Sequence, residues 1–242
     1  MPELTIPAIM HILEKGATTL KGEFLWGSNY TFLVEVQHKD EQILAVYKPT
    51  QGERPLWDFP AASLARREAA AFVVSDALAW ELVPPTVYRE DAPLGPGSLQ
   101  VFIEHDPEYH YFNFSKQDKQ RLRPVVLFDL LVNNADRKGS HILLDKTGHL
   151  WLIDHGICFH VDDKLRTVIW DFAGETFPSE LVKDLQALQK ALKGKDGLRG
   201  KLLALLSEEE VEAIAARARQ LTAHPYYPAP DPARRPYPWP PV

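Results

Sequence analysis

Two carboxylates frame one short stretch of this chain. Asp136 opens the polar loop DRKGSH. Asp154 closes the apolar run LWLI and is followed by His155 and Gly156. Between them, ILL and LWLI flank the turn DKTGH, a pattern that reads as a β-hairpin. A hairpin turns the chain back on itself, so its entry and exit lie side by side and the two carboxylates can converge. A carboxylate ending an apolar strand points into a cleft at a fixed depth, where it can hold Mg²⁺ against the phosphates of a nucleotide. One on the entry loop can orient a hydroxyl for attack on a γ-phosphate. Aspartate also caps turns for local reasons alone, so the pair by itself is a weak signal.

Two further residues strengthen it. Lys48 ends the strand-like run AVYKP, from which it can reach the α- and β-phosphates of a nucleotide. Such a lysine needs a carboxylate to aim it, and Glu68 lies in the helical stretch LARREAAAF. The plainer alternatives are a strand leaving the core at Lys48 and a solvated helix face at Glu68, beside Arg66 and Arg67.

These side chains depend on the elements that carry them. Residues 3–15 read as a helix with Ile6, Ile9, Met10 and Leu13 on one face. Phe32, Val34 and Val36 alternate as a strand. A second strand runs from Ile43 to Lys48 after the turn QHKDEQ. The loop GERPLWDFP leads to a helical pattern from Ala61 to Leu82, stopped by Pro84-Pro85. Strands at 86–90 and 98–104 flank DAPLGPG. Ser115 to Asp118 resembles a cap for a helix running to about Asn133. Helices resume near Ser179. Ser207 to Glu210 forms a capping box for a last helix packing Val211, Ile214 and Leu221. The tail HPYYPAPDPARRPYPWPPV is expected to wrap the surface in extended form or to be partly disordered, with a docking peptide as an alternative. No internal repeat is present. The order is strand-rich, then helix-rich, with the hairpin near the junction. This predicts an α+β fold of two lobes around a cleft: an N-terminal lobe over 1–104, a C-terminal lobe over 105–223, and a proline-rich tail over 224–242.

The bulk numbers set outer limits. With 242 residues, 45% hydrophobic and 25% charged, the chain can bury a core. A net charge of −6 argues against a general nucleic-acid binder. The single cysteine, Cys158, can build neither a disulfide framework nor a zinc cluster. It is expected to be a small buried hydrophobe in a protein of the reducing cytosol, so the expected location is cytoplasmic. MPELTIPAIMHILEKG does not have the pattern of a signal peptide, and no apolar run is long enough to span a bilayer.

A strand lysine, a helical glutamate, two strands and a D…D hairpin follow the order of parts in a kinase. From about residue 16 to 178 the chain resembles the protein-kinase-like fold. It is most similar to the phosphoinositide 3- and 4-kinase branch and its small bacterial relatives. That branch carries D-R-H-x-x-N in the catalytic loop and D-F-G at the metal. This chain has Asp136-Arg137-Lys138-Gly139-Ser140-His141 and Asp154-His155-Gly156. The resemblance implies a catalytic role for Asp136. It implies that Asp154 is the principal metal ligand and that Lys48 and Glu68 are the ATP-positioning pair. It places Ser28 and Asn29 of LWGSNYTF in a loop covering the phosphates. The adenine edge would lie along Gln100 to Glu104, against the backbone of Val101 and Ile103. The implied cofactors are ATP with Mg²⁺ or Mn²⁺.

Three departures carry information. His141 stands where the family has a second metal-binding asparagine, and imidazole suits softer ions than magnesium. Lys138 replaces a histidine. Many protein kinases carry lysine two residues after the catalytic aspartate, where it steadies the γ-phosphate. His155 replaces the phenylalanine of D-F-G and is read as a packing residue. The segment 157–178 is expected to face the acceptor, and its mix of Lys164 and Arg166 with Asp162, Asp163 and Asp171 does not favour a phosphoinositide. The expectation is a phosphotransferase acting on a small-molecule or protein hydroxyl, without nucleic-acid partners or stable membrane insertion. The alternatives are a nucleotide-binding pseudokinase serving as scaffold or sensor, a kinase fold that moves AMP, and an unrelated α+β domain.

Overall fold

The computed structural model describes residues 4–24, 30–194 and 196–242. The expected phosphate-covering residues Ser28 and Asn29 therefore lie outside the described residues. Helix α1 (Ile6–Lys15) starts at a Thr5 cap and leads through Gly16 into strand β1 (Ala17–Glu23). Strands β2 (Phe32–His38) and β3 (Glu41–Pro49) form the expected antiparallel pair, in register Val34↔Ala45 and Val36↔Ile43. Helix α2 (Leu64–Ala77) is followed by β4 (Thr86–Arg89) and β5 (Gly97–Val101). The five strands make one sheet in the order β1-β2-β3-β5-β4. This order sets β3, which carries Lys48, at the centre.

The C-terminal half is helical. α3 (Lys116–Gln120) and α4 (Arg123–Val132) stand where the sequence suggests one helix. The break falls before Pro124, which lacks the N–H that a continuous helix would need there. The hairpin is present as β6 (Ile142–Leu144) and β7 (Leu150–Leu152), paired Ile142↔Leu152 and Leu144↔Leu150. α5 (Ser179–Ala191), α6 (Leu198–Leu203) and α7 (Glu208–Ala223) complete the half, and α7 begins with the expected Ser207–Glu210 capping box.

Two apolar cores hold these parts. The smaller joins α1 to the sheet through Ile12, Leu13, Val34, Val36, Ala45 and Leu99. The larger fills the helical half and includes Cys158, buried as expected. Helix α2 precedes the helical half in sequence, yet Ala70, Ala71, Phe72 and Val74 belong to that larger core. Arg66 is half-exposed, but Arg67 is 1% exposed, so a solvated α2 face is not what forms. The Arg67 guanidinium donates to the Cys158 carbonyl at 2.7 Å and pairs with Glu210 of α7. A buried arginine is tolerable only when paired and hydrogen-bonded in this way. The pair fixes α2 to the helical half, one residue from Glu68.

Candidate active site

Lys48 reaches the cleft because β3 ends there, with Lys48 paired to Ser98 of β5. Its ammonium lies 2.6 Å from Glu68 Oε1 and also contacts Asp154 Oδ1. The other Glu68 oxygen accepts the His155 backbone N–H at 2.9 Å. One glutamate thus ties α2 to β3 and to the strand exit after β7. Burial alone would lower the Lys48 ammonium, but Asp154 and Glu68 outweigh it and push it above the usual lysine range. Burial alone would raise the Asp154 carboxyl. The Lys48 ammonium, the strongest opposing charge, outweighs that, and the carboxylate is held well below its usual range. Asp154 takes a left-handed backbone, φ 58°, as a non-glycine residue. Such a conformation persists only where its surroundings fix it.

The opposite wall is the loop from Asn133 to His141. Asn133 ends α4 in the left-handed region, and its side chain donates to the carbonyls of His160 and Asp162. The Asp136 N–H donates to Asn134 Oδ1 at 2.9 Å. The Lys138 ammonium lies 3.8 Å from Asp136 Oδ2. Burial pushes the Asp136 carboxyl up to about 6, against the pull of Lys138. His141 Nε2 stands 3.1 Å from Asp154 Oδ2. Burial pushes the His141 imidazole down to about 4, so the ring is neutral near pH 7. Its buried Nδ1 has no partner among the described residues.

Arg137 connects the two walls. Fully buried, it binds Asp129 of α4 at 2.9 Å, the carbonyls of His141 and Ile153 at 3.1 and 3.0 Å, and His155 Nε2 at 2.8 Å. His155 is buried beside Phe128 and packs, as the sequence suggests. The roles of Arg137, Asp129 and Arg67 were not legible. The one hint was an aspartate inside the otherwise apolar helix VVLFDLLV.

The structure therefore links Lys48 to Glu68 and Asp154, and Asp154 to His141, with Asp136 and Lys138 paired nearby. Along the stretch expected to face adenine, the Val101 amide donates to the Pro85 carbonyl and the Phe102 amide to the Leu44 carbonyl. The Ile103 carbonyl lies 2.9 Å from His105 Nδ1, while the Ile103 amide makes no hydrogen bond among the described residues. No set of three histidine, cysteine or carboxylate side chains among the described residues is grouped to cage a cation. One carboxylate and one neutral imidazole suit a divalent ion that takes its remaining ligands from phosphate and water, as nucleotide-bound magnesium does.

The family model for phosphatidylinositol 3- and 4-kinase matches residues 59–211, more than half of the chain. The chain belongs to the phosphatidylinositol 3- and 4-kinase family. It is 37% identical to Protein Rv2133c of Mycobacterium tuberculosis over 266 residues, covering 95% of this chain and 94% of that protein. Among solved structures, the Golgi casein kinase with Mn/ADP bound superposes with a TM-score of 0.52 at 14% identity, covering 90% of this chain and 75% of that one. A second structure of the Golgi casein kinase gives the same score at 15% identity. The fold is thus the expected α+β, two-lobed kinase-like one, and family and fold together are those of a kinase-like phosphotransferase. Among the described residues, no helix is long and apolar enough to cross a membrane.

Proposed function

We propose that this protein is an ATP-dependent kinase that moves the γ-phosphate of ATP to a hydroxyl acceptor. The observation that carries the reading is the cross-bonded set Lys48–Glu68–Asp154, facing a loop whose carboxylate, Asp136, has its pKa raised toward neutrality. In this reading the Lys48 ammonium, aimed by Glu68, binds the α- and β-phosphates. The Ile103 amide meets the adenine edge, and Ser28 and Asn29 cover the phosphates. Asp136 accepts a hydrogen bond from the acceptor hydroxyl and takes its proton as the new O–P bond forms. A carboxyl with a pKa of about 6 is mostly ionised at pH 7, yet basic enough to hold that proton. Lys138 offsets charge on the transferred group.

Asp154 and His141 would hold a divalent ion, which when bound neutralises charge on the phosphates. Neutral imidazole favours Mn²⁺ over Mg²⁺ relative to the family's asparagine, and the Mn/ADP complex of the Golgi casein kinase supports testing manganese first. The acceptor is a small molecule or a protein; the mixed charge of 157–178 supports neither nucleic acid nor a phosphoinositide. A cytoplasmic location is consistent with the single buried cysteine.

Incubation with ATP and Mn²⁺, followed by phosphorus NMR of the products, tests the reading. Wild type should release ADP, with water or an added alcohol as acceptor. Asp136→Asn should lose turnover by about 10³-fold while binding ATP normally. Unchanged turnover in that variant would contradict the assignment. The competing reading is a pseudokinase, favoured by the direct His141–Asp154 contact at 3.1 Å. Metal-dependent ATP binding without any ADP release would select it.

A further inference from the structure

The proline-rich tail is the sequence feature that the phosphotransfer reading leaves without a role. Eight of residues 225–242 are proline, so the segment is stiff, extended and short of N–H groups, while its carbonyls remain free to accept. It is not draped at random. Tyr227 is buried between Phe172 and Phe177, and its hydroxyl donates to the Arg123 carbonyl at 3.1 Å. The backbones of Tyr227 and Glu175 pair at 3.0 Å, and Phe177 N–H donates to the Pro225 carbonyl at 2.8 Å. Further along, Arg234 pairs with Asp163, and the Tyr237 ring meets Trp170 edge-on. The tail thus runs back along 163–177, the stretch expected to face the acceptor.

Its last contacts reach the segment bonded to the catalytic loop and then the loop itself. Thr167 N–H donates to the Pro236 carbonyl at 3.0 Å, and Gly139 N–H donates to the Pro241 carbonyl at 2.8 Å. Gly139 follows Lys138 directly. Thr167 lies between two residues that pair with Arg137: Arg137 N–H donates to the Arg166 carbonyl at 3.0 Å, and Val168 N–H donates to the Arg137 carbonyl at 3.1 Å. Loop, segment and tail are thus each joined to the other two by backbone hydrogen bonds. Gly139 suits the crowding, because a Cβ there would come within 2.8 Å of the Phe112 ring.

We propose that residues 234–242 act as a positioning strap, holding Gly139 and Thr167 and thereby fixing Asp136 and Lys138 on the acceptor side of the cleft. The proposal rests on the phosphotransfer reading for its effect on turnover, but not for its structural effect. Lys48, Glu68 and Asp154 have no hydrogen bond or ion pair with the tail among the described residues, so nucleotide binding should not depend on the strap.

The test is a variant ending at Ala233, which keeps the Tyr227 anchor, compared with wild type by amide hydrogen exchange and by ATP turnover. The strap predicts that Gly139 and Thr167 exchange about tenfold faster, each having lost a hydrogen bond, while α4 amides stay unchanged. It predicts ATP affinity within about twofold of wild type and turnover lowered about tenfold. A synthetic peptide of residues 230–242 added in trans should restore both the protection and the rate. Should the shortened chain fail to fold, the full-length double variant Arg234→Ala/Tyr237→Ala releases the same segment and is read the same way. Unchanged exchange at Gly139 and Thr167, or exchange rising equally in α4, would overturn the strap. Wild type that neither binds nor turns over ATP would instead remove the phosphotransfer reading, and the exchange result would still decide the strap.

Discussion

On the side proposed for the nucleotide, Lys48 touches two carboxylates, Glu68 uses both of its oxygens, and α2 is pinned by the buried Arg67–Glu210 pair. On the side proposed for the acceptor, Asp136 has Lys138 at 3.8 Å, and the Arg166 side chain is exposed with no hydrogen bond or ion pair among the described residues. The first half is cross-bonded within the fold. The second owes its position to the Arg137 network beneath it and the tail over it. A nucleotide site can be fixed by the fold, because one nucleotide serves every reaction of this kind. Under the proposed function, an acceptor site must fit one particular molecule, which accounts for side chains such as Arg166 left open in the fold.

The comparison can be broken from beneath. Asp129→Asn leaves the buried Arg137 without its carboxylate, and removing one partner of a buried pair typically costs about 3–5 kcal/mol. Denaturant unfolding should show that loss, and both halves should fail together. Little change in stability would mean that Arg137 does not join them.

A sharper cut comes from Lys48→Met. Weakening of ATP binding by about 10–100-fold is expected, corresponding to the loss of one charge-assisted contact. Fluorescence titration measures it. The Asp136 side should be untouched, so any residual turnover should keep its pH dependence.

The smallest expected effect separates function from stability on the acceptor side. The Asp136 carboxyl is raised to about 6 in the fold and lies near 3.8 when unfolded. The folded protein therefore holds this proton more tightly. The resulting stability is full below about pH 4 and is lost as pH rises through about 6. At pH 7 the ionised group costs on the order of 1–3 kcal/mol. Asp136→Asn should therefore be more stable than wild type at pH 7 and no more stable at pH 4, while turnover by wild type should rise with pH through about 6. Thermal melts at the two pH values check the sign, and a less stable variant at pH 7 would refute it.

Much of this architecture could be read from residue order. The hairpin between the two aspartates, the β2–β3 pair and the capping box at Ser207 all carry short-range signals: alternation, turn residues, a cap. Strand β1 did not. Its ATTLKGE is exposed along nearly its whole length, so no apolar alternation marks it. The placement of α2 in the larger core and the burial of Arg67 were also hidden, since a charged residue beside Arg66 reads as surface until its distant partner Glu210 is known. Arg137 was visible only as a letter in a motif. Its four partners come from three separate stretches of chain, and spacing does not encode that. The tail's composition predicted extension, but nothing in it predicted that Pro241 would meet Gly139.

The central claim is that the exit of this hairpin brings a metal-binding carboxylate to a nucleotide. Calorimetric titration of ATP into wild type and Asp154→Asn, with Mg²⁺, with Mn²⁺ and with EDTA, tests it most directly. The account predicts metal-dependent binding by wild type, at least as tight with Mn²⁺ as with Mg²⁺, and its loss in Asp154→Asn. Binding that ignores the metal or survives the substitution, or no binding under any condition, would contradict it.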